Sequence, residues 1–226
     1  MHIPDGFLSF EVGAAAFAVS AAAGAAAFKT SGDGDADRRA PLLGVTSAFV
    51  FAAQMINFPV AGGTSGHFVG ALFSAVALGP ANAVIVMASV ITLQCLLFAD
   101  GGVTALGANI MNMGVIGGLT SYYVFAALKS FAPRNRKWFL ASAAVAAWVS
   151  VVASSAACAL ELAFSGISPM QAVLPAMTAV HSVIGVGEAV ITASALSIVM
   201  AARPDIIASL NFDPQTARPM GAGENP

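Results

Sequence analysis

The sequence predicts an all-α, polytopic membrane protein of about seven transmembrane helices, with its N-terminus outside and its C-terminus in the cytoplasm. Three observations predict it. Of 226 residues, 58% are hydrophobic and only 9% charged, a balance outside the range of an ordinary water-soluble domain. The apolar residues gather into seven runs rather than one dispersed core. All nine basic residues fall on one side when the connections between the runs are numbered alternately.

The runs extend from about Phe7 to Phe28, Leu42 to Pro59, His67 to Leu78, Ala81 to Ala99, Val103 to Leu128, Trp138 to Phe164 and Met170 to Met200. Most are long enough for a span of roughly 20 residues. The third is not. It follows the glycine-rich stretch Ala61 to Gly66 and is expected as a half-span or re-entrant element buried against protein. The Gly79-Pro80 pair separates it from the fourth run, because glycine permits the turn and proline supplies no amide donor to an earlier turn.

Lys29, Arg38, Arg39, Lys129, Arg134, Arg136, Lys137, Arg203 and Arg218 share one side, which the positive-inside rule makes cytoplasmic. Met1 and the loops at 61–66, 100–102 and 165–169 then face out. The first run has no basic segment before it and is long enough to span, so Met1 is expected to remain in the mature chain rather than leave with a signal peptide. Residues 1–203 are read as one membrane domain with an N-terminal metal-binding segment, and 204–226 as a disordered cytoplasmic tail. Ser31 to Asp37 is expected as a polar loop. Ala14, Ala18, Ala22 and Ala26 form a small-residue face on the first helix that admits a close helical neighbour. Cys95 and Cys158 both lie inside apolar runs and are expected as buried, unbridged thiols.

The chemistry begins at the first two residues. The Met1 amine, the His2 amide nitrogen and His2 Nδ1 can close a five-membered and then a six-membered chelate ring on one metal ion. A fourth nitrogen from His67, which opens the third run on the same outer side, completes a square-planar N4 set suited to Ni(II), Cu(II) or low-spin Co(II). Binding requires loss of protons from the amine and the amide, so affinity falls as pH falls. The bland alternatives are an incidental N-terminal histidine and a hydrogen-bonded loop histidine. The metal reading is favoured because the chain has only three histidines, and ionisable groups within a membrane protein are usually functional.

His181 and Glu188 lie seven apart on one helical face and are read as a possible pair, either a coupling element or a satisfied hydrogen bond. Asn57, Ser65, Asn109 and Asn112 are candidate supports for the ligands. Asp5 and Asp100 are outer carboxylates able to attract cations. No phosphate-binding loop, zinc-protease motif or nucleophile elbow occurs, and there is no basic strip for nucleic acid, so neither enzymatic activity nor nucleic-acid binding is expected.

MHIPDGF at Met1 to Phe7, GGTSGHFVGALFSAVALGP at Gly62 to Pro80 and HSVIGVGEAVIT at His181 to Thr192 resemble the CbiM/NikM family. Its members are substrate-specificity subunits of energy-coupling factor (ECF) transporters for nickel and cobalt. The resemblance extends to about Arg203. It implies a seven-helix bundle with a tucked-in N-terminus and Met1, His2 and His67 as metal ligands. It also implies a transmembrane coupling subunit, two cytoplasmic ATPase subunits and, in some systems, a small CbiN or NikN-type subunit, in a bacterial inner membrane. Ni(II) or Co(II) would be the transported substrate, with no permanent cofactor. Two other classes compete. A vitamin-binding specificity subunit needs a roomy aromatic pocket, for which two Trp and two Tyr are few. A stand-alone permease or proton-coupled carrier would use His181 and Glu188 and leave His2 incidental.

Overall fold

The computed structural model describes residues 1–31, 36–60 and 64–209, with side chains at 36–39, 57–60, 64 and 65 left aside. Seven helices follow one another: α1 (Phe10–Ser31), α2 (Ala36–Gln54), α3 (Ala71–Leu78), α4 (Pro80–Phe98), α5 (Leu106–Lys129), α6 (Arg136–Phe164) and α7 (Met170–Ala202). Five of them, α1 and α4 to α7, are long and apolar enough to cross a membrane. The apolar part of α2, Ala40–Gln54, is shorter. The chain is therefore a multi-pass, essentially all-helical membrane protein.

The second run departs from expectation at its end. α2 stops at Gln54, and the chain continues as two short antiparallel strands, β1 (Asn57–Val60) and β2 (Thr64–His67), with Asn57 opposite His67 and Val60 opposite Thr64. Pro59 favours the extended backbone of β1, since the residue before a proline, here Phe58, is pushed out of the helical region. Thr64 to Gly66, expected within a glycine-rich loop, thus belong to the return strand of a hairpin that delivers His67 to the head of α3, and 61–63 lie outside the described residues. The predicted polar loop narrows as well. Ser31 ends α1, Ala36 and Asp37 already belong to α2, and 32–35 lie outside the described residues.

α3 is the buried half-element foreseen from its length: residues 71–77 are all inaccessible. It sits inside the bundle against α4, α5, α6 and α7. Leu72, Phe73 and Val76 pack with Phe125, Phe139, Ala146 and Leu196 in one apolar cluster. Its last turn has carbonyls that no amide of the helix can satisfy. The Ala208 amide donates to Ala77 O, and the amide and hydroxyl of Ser209 donate to Val76 O. Ile207 is fully buried in the same cluster, and Lys129 Nζ donates to Ser209 O. The tail expected to begin at 204 is therefore docked through Ser209, because it supplies donors a buried helix end requires. Residues 210–226 lie outside the described residues.

α5 is wound as a wide π-helix from Met111 to Thr120. Its Asn112 and Gly117 carbonyls accept bonds from Ser154 Oγ (2.8 Å) and Ser150 Oγ (3.0 Å) of α6. Such winding misaligns carbonyls with the helical ladder, and hydroxyls from a neighbouring helix replace the weakened bonds. On its other side α5 meets α1. A Cβ built on Gly107 would stand 2.4 Å from the Phe17 Cα, and Ser20 Oγ donates to Gly107 O at 2.6 Å. Gly107→Ala is expected to cost about 1–3 kcal/mol through forced separation of the helices, read as a lower thermal midpoint in detergent.

The small-residue face of α1 does not pack into the bundle: Ala14, Ala18, Ala22 and Ala26 are exposed, whereas Ala16, Ser20 and Ala27 face inward. Connectivity puts Lys29, Lys129, Arg136 and Arg203 at one end of the bundle. Ser31 beside Asn82 and Lys129 beside Ser209 tie that end together. Met1, the 99–105 loop and the 165–169 loop occupy the other.

Candidate metal centre

The first three residues are swallowed by the protein. Met1 and Ile3 are 0% exposed and His2 is 3% exposed. The Met1 side chain joins Val50, Val69, Met87 and Met113 in one apolar cluster, while Ile3 joins Ala16, Ala108 and Leu162 in another. His2 is held between these two anchors.

Hydrogen bonds keep the segment in place. Asn109 Oδ1 accepts from Ile3 N at 2.8 Å and Asn109 Nδ2 donates to Ile3 O at 3.2 Å, so one side-chain amide takes both polar groups of a residue. Gly102 N also donates to Ile3 O at 2.8 Å. Asp5 Oδ1 accepts from Thr104 N and Thr104 Oγ1, and these bonds hold its carboxyl below the usual range. The approach is close enough to demand glycine: a Cβ on Gly102 would lie 2.3 Å from Asp5 N.

His67 is brought to His2 by the hairpin. The two rings stack with centroids 4.8 Å apart and planes 22° from parallel, and His67 is 1% exposed. His67 Nδ1 lies 2.6 Å from Phe68 O. A carbonyl can only accept, so Nδ1 carries the proton and Nε2 keeps its lone pair. Burial depresses the Met1 amine to about 5 and His2 to about 3, and pushes His67 well below its ordinary value. All three are neutral nitrogen donors at neutral pH.

His2 Nδ1 and Nε2, His67 Nε2 and both amide atoms of Gln94 are buried without a well-aligned hydrogen bond, a state that ordinarily costs about 1–3 kcal/mol per atom when no partner is near, and the Gln94 amide is close enough to interact with the His2 ring. Gln94, fully buried on α4, lies beside the His2 ring. Asp100 Oδ1 approaches His2 Nδ1 to 3.3 Å without hydrogen-bond alignment. Buried nitrogens gathered around two adjacent rings fit a site that binds an ion. Among the described residues no three His, Cys, Asp or Glu side chains converge.

The other sequence candidates divide. His181 is near enough for its field to be felt at His67, with its Nδ1 2.8 Å from Met177 O. Glu188 does not pair with it through its bonded oxygens: Oε2 accepts from Val69 N at 2.6 Å and Oε1 from Gly70 N at 2.9 Å. Seven residues put about 10 Å of helical rise between the two positions. Glu188 instead clamps the turn that joins β2 to α3. Asn112 bonds Glu161 on α6, and the side chains of Asn57 and Ser65 lie outside the described residues. Gln94 was missed because an isolated glutamine inside an apolar run carries no periodic signal. Cys158 and Cys95 are buried free thiols.

A helical bundle with buried nitrogen groups gathered at one end is a membrane protein whose interior offers donors suited to a small cation. Comparison with known proteins narrows this. Residues 2–206 match the CbiM family, described as the cobalt uptake substrate-specific transmembrane region, and the chain belongs to that family. It is 39% identical to an Archaeoglobus fulgidus protein named as a fused nickel transport protein NikMN, over 92% of this chain and 68% of that one. It is 35% identical to the cobalt transport protein CbiM of Sorangium cellulosum, over 74% of this chain and 76% of that one. A crystal structure of a transition metal transporter superimposes with a TM-score of 0.84 at 31% identity, covering 96% of this chain and all of that one. These relatives are named as transport proteins rather than enzymes.

Proposed function

We propose that this chain captures Ni(II) or Co(II) as the substrate-binding subunit of an ATP-driven importer of the ECF type. The ion sits in a square plane of four nitrogens: the Met1 amine, the His2 amide, His2 Nδ1 and His67 Nε2. The observation that carries this is the burial of Met1 together with the stacked His2 and His67 rings. With metal–nitrogen bonds of roughly 2.0–2.1 Å, two imidazoles adjacent in a square plane have centroids about 4.5 Å apart; the rings found 4.8 Å apart and 22° from parallel have to turn so that both lone pairs meet one ion. The bond from His67 Nδ1 to Phe68 O is the outer support that metal-ligating histidines commonly carry.

The remaining parts rest on division of labour. The chain has no phosphate-binding loop, so ATP hydrolysis falls to two cytoplasmic ATPase subunits acting through a transmembrane coupling subunit. The fused NikMN relatives support a small NikN-type partner. The basic end of the bundle faces the cytoplasm of a bacterial inner membrane by the positive-inside rule, leaving the nitrogen cluster toward the outer face. A planar centre penalises Zn(II), Mg(II) and Mn(II), which prefer other shells.

Metal analysis of the protein exposed to Ni(II), Co(II) and Zn(II) together, with a visible spectrum, tests the proposal. One equivalent of nickel or cobalt and the d–d band of a planar ion are expected. Preferential zinc loading, or no retained metal, would reject it.

A further inference from the structure

A coordinating amine and two coordinating imidazoles are neutral, and the His2 amide contributes one negative charge when the metal replaces its proton. A divalent ion in the proposed set therefore leaves a centre of net charge +1 in the protein interior. A buried charge without a counterpart is strongly disfavoured.

Most described carboxylates near the centre are spent elsewhere. Asp5 accepts from Thr104, Glu161 from Asn112, and Glu188 from two backbone amides. Asp100 stands at the His2 ring itself: its Oδ1 lies 3.3 Å from His2 Nδ1, and its side chain is 21% exposed against 1% for that of His2. Its field reaches the Met1 amine. Its position is fixed from both sides: Asp100 N donates to Gln94 O at 3.1 Å, and a Cβ on the following Gly101 would stand 3.3 Å from His2 Cβ. The carboxylate is thus held against the chelate without being needed as one of the four donors.

We propose that Asp100 is a positioning residue whose carboxylate supplies the counter-charge that makes the loaded centre electrically neutral. This rests on the Met1, His2 and His67 assignment. It gives the carboxylate a second duty, because the same fixed negative charge meets an incoming dication before the nitrogens do.

The test compares the full chain with its Asp100→Asn and Asp100→Glu variants in detergent, titrated with Ni(II) alone against a chromophoric chelator while the visible spectrum is recorded. Asn keeps the shape and removes the charge; Glu keeps the charge. Asp100→Asn is expected to lose about 10- to 100-fold in affinity with the position of the d–d band unchanged, while Asp100→Glu retains most of the affinity. Asp100→Ser serves as a second uncharged variant should Asn impair folding. Unchanged affinity in the uncharged variants, or equal losses in the Asn and Glu variants, would overturn the counter-charge role. A shifted band in Asp100→Asn would also overturn it by making Asp100 a ligand. Failure of the unaltered chain to bind Ni(II) would instead remove the assigned site and this inference with it.

Discussion

Placing a single residue ahead of Met1 is expected to abolish tight Ni(II) binding while leaving the bundle folded. The extension turns the amine into an amide and forces extra chain into a space where Met1 is 0% exposed. Four-ligand structural zinc sites, the nearest guide, are worth about 10–16 kcal/mol at neutral pH. Losing one donor in four forfeits about 3–4 kcal/mol, or two to three orders of magnitude in Kd, and misplacing His2 adds to the loss. Equilibrium dialysis of the extended and unextended chains measures this. Undiminished affinity in the extended chain would show that the amine is not a ligand.

His67→Ala is the second large effect. It removes the fourth in-plane nitrogen but leaves the Met1–His2 chelate, so a loss of about 100-fold is expected with some binding remaining. Water in the vacated position weakens the ligand field, so the d–d band should move to longer wavelength. Phe68 O also loses its donor, a stability cost of about 1–3 kcal/mol visible in melts without metal. An unmoved band in the metal-loaded variant would mean that His67 does not touch the ion. The two experiments differ in kind, since the extension destroys the chelate and the alanine variant leaves it truncated.

Much of this architecture could be read from residues. The apolar runs located all seven helices, and the shortness of the third identified α3 as buried. The hairpin was hidden because its first strand continues the second apolar run and looks like the fraying end of a helix, while its second strand, Thr64 to His67, has the composition of a loop. The docking of residues 204–209 was hidden for another reason. It answers a demand made by carbonyls at Val76 and Ala77, roughly 130 residues away, and local composition carries no trace of such a demand. The wide winding of α5 likewise depends on hydroxyls of α6.

At the centre, His2 and His67 were legible from chemistry because a histidine next to a free amine is itself a chelate. What surrounds them was not. Gln94 gains its meaning from the stacking of α4 beside the N-terminal segment, and Asn109 from its double bond to Ile3. A shared helical face gave His181 and Glu188 a common direction; it did not show that both Glu188 oxygens take the amides of Val69 and Gly70.

α3 is seated at its head by Glu188 and at its foot by the 207–209 segment and Lys129. Eight residues of helix measure about 12 Å, and a close-packed interior leaves no slack along that length. The element behaves as a strut. A displacement of the foot relative to α7 must either break the clasp at Ser209 or unseat the turn two residues beyond His67.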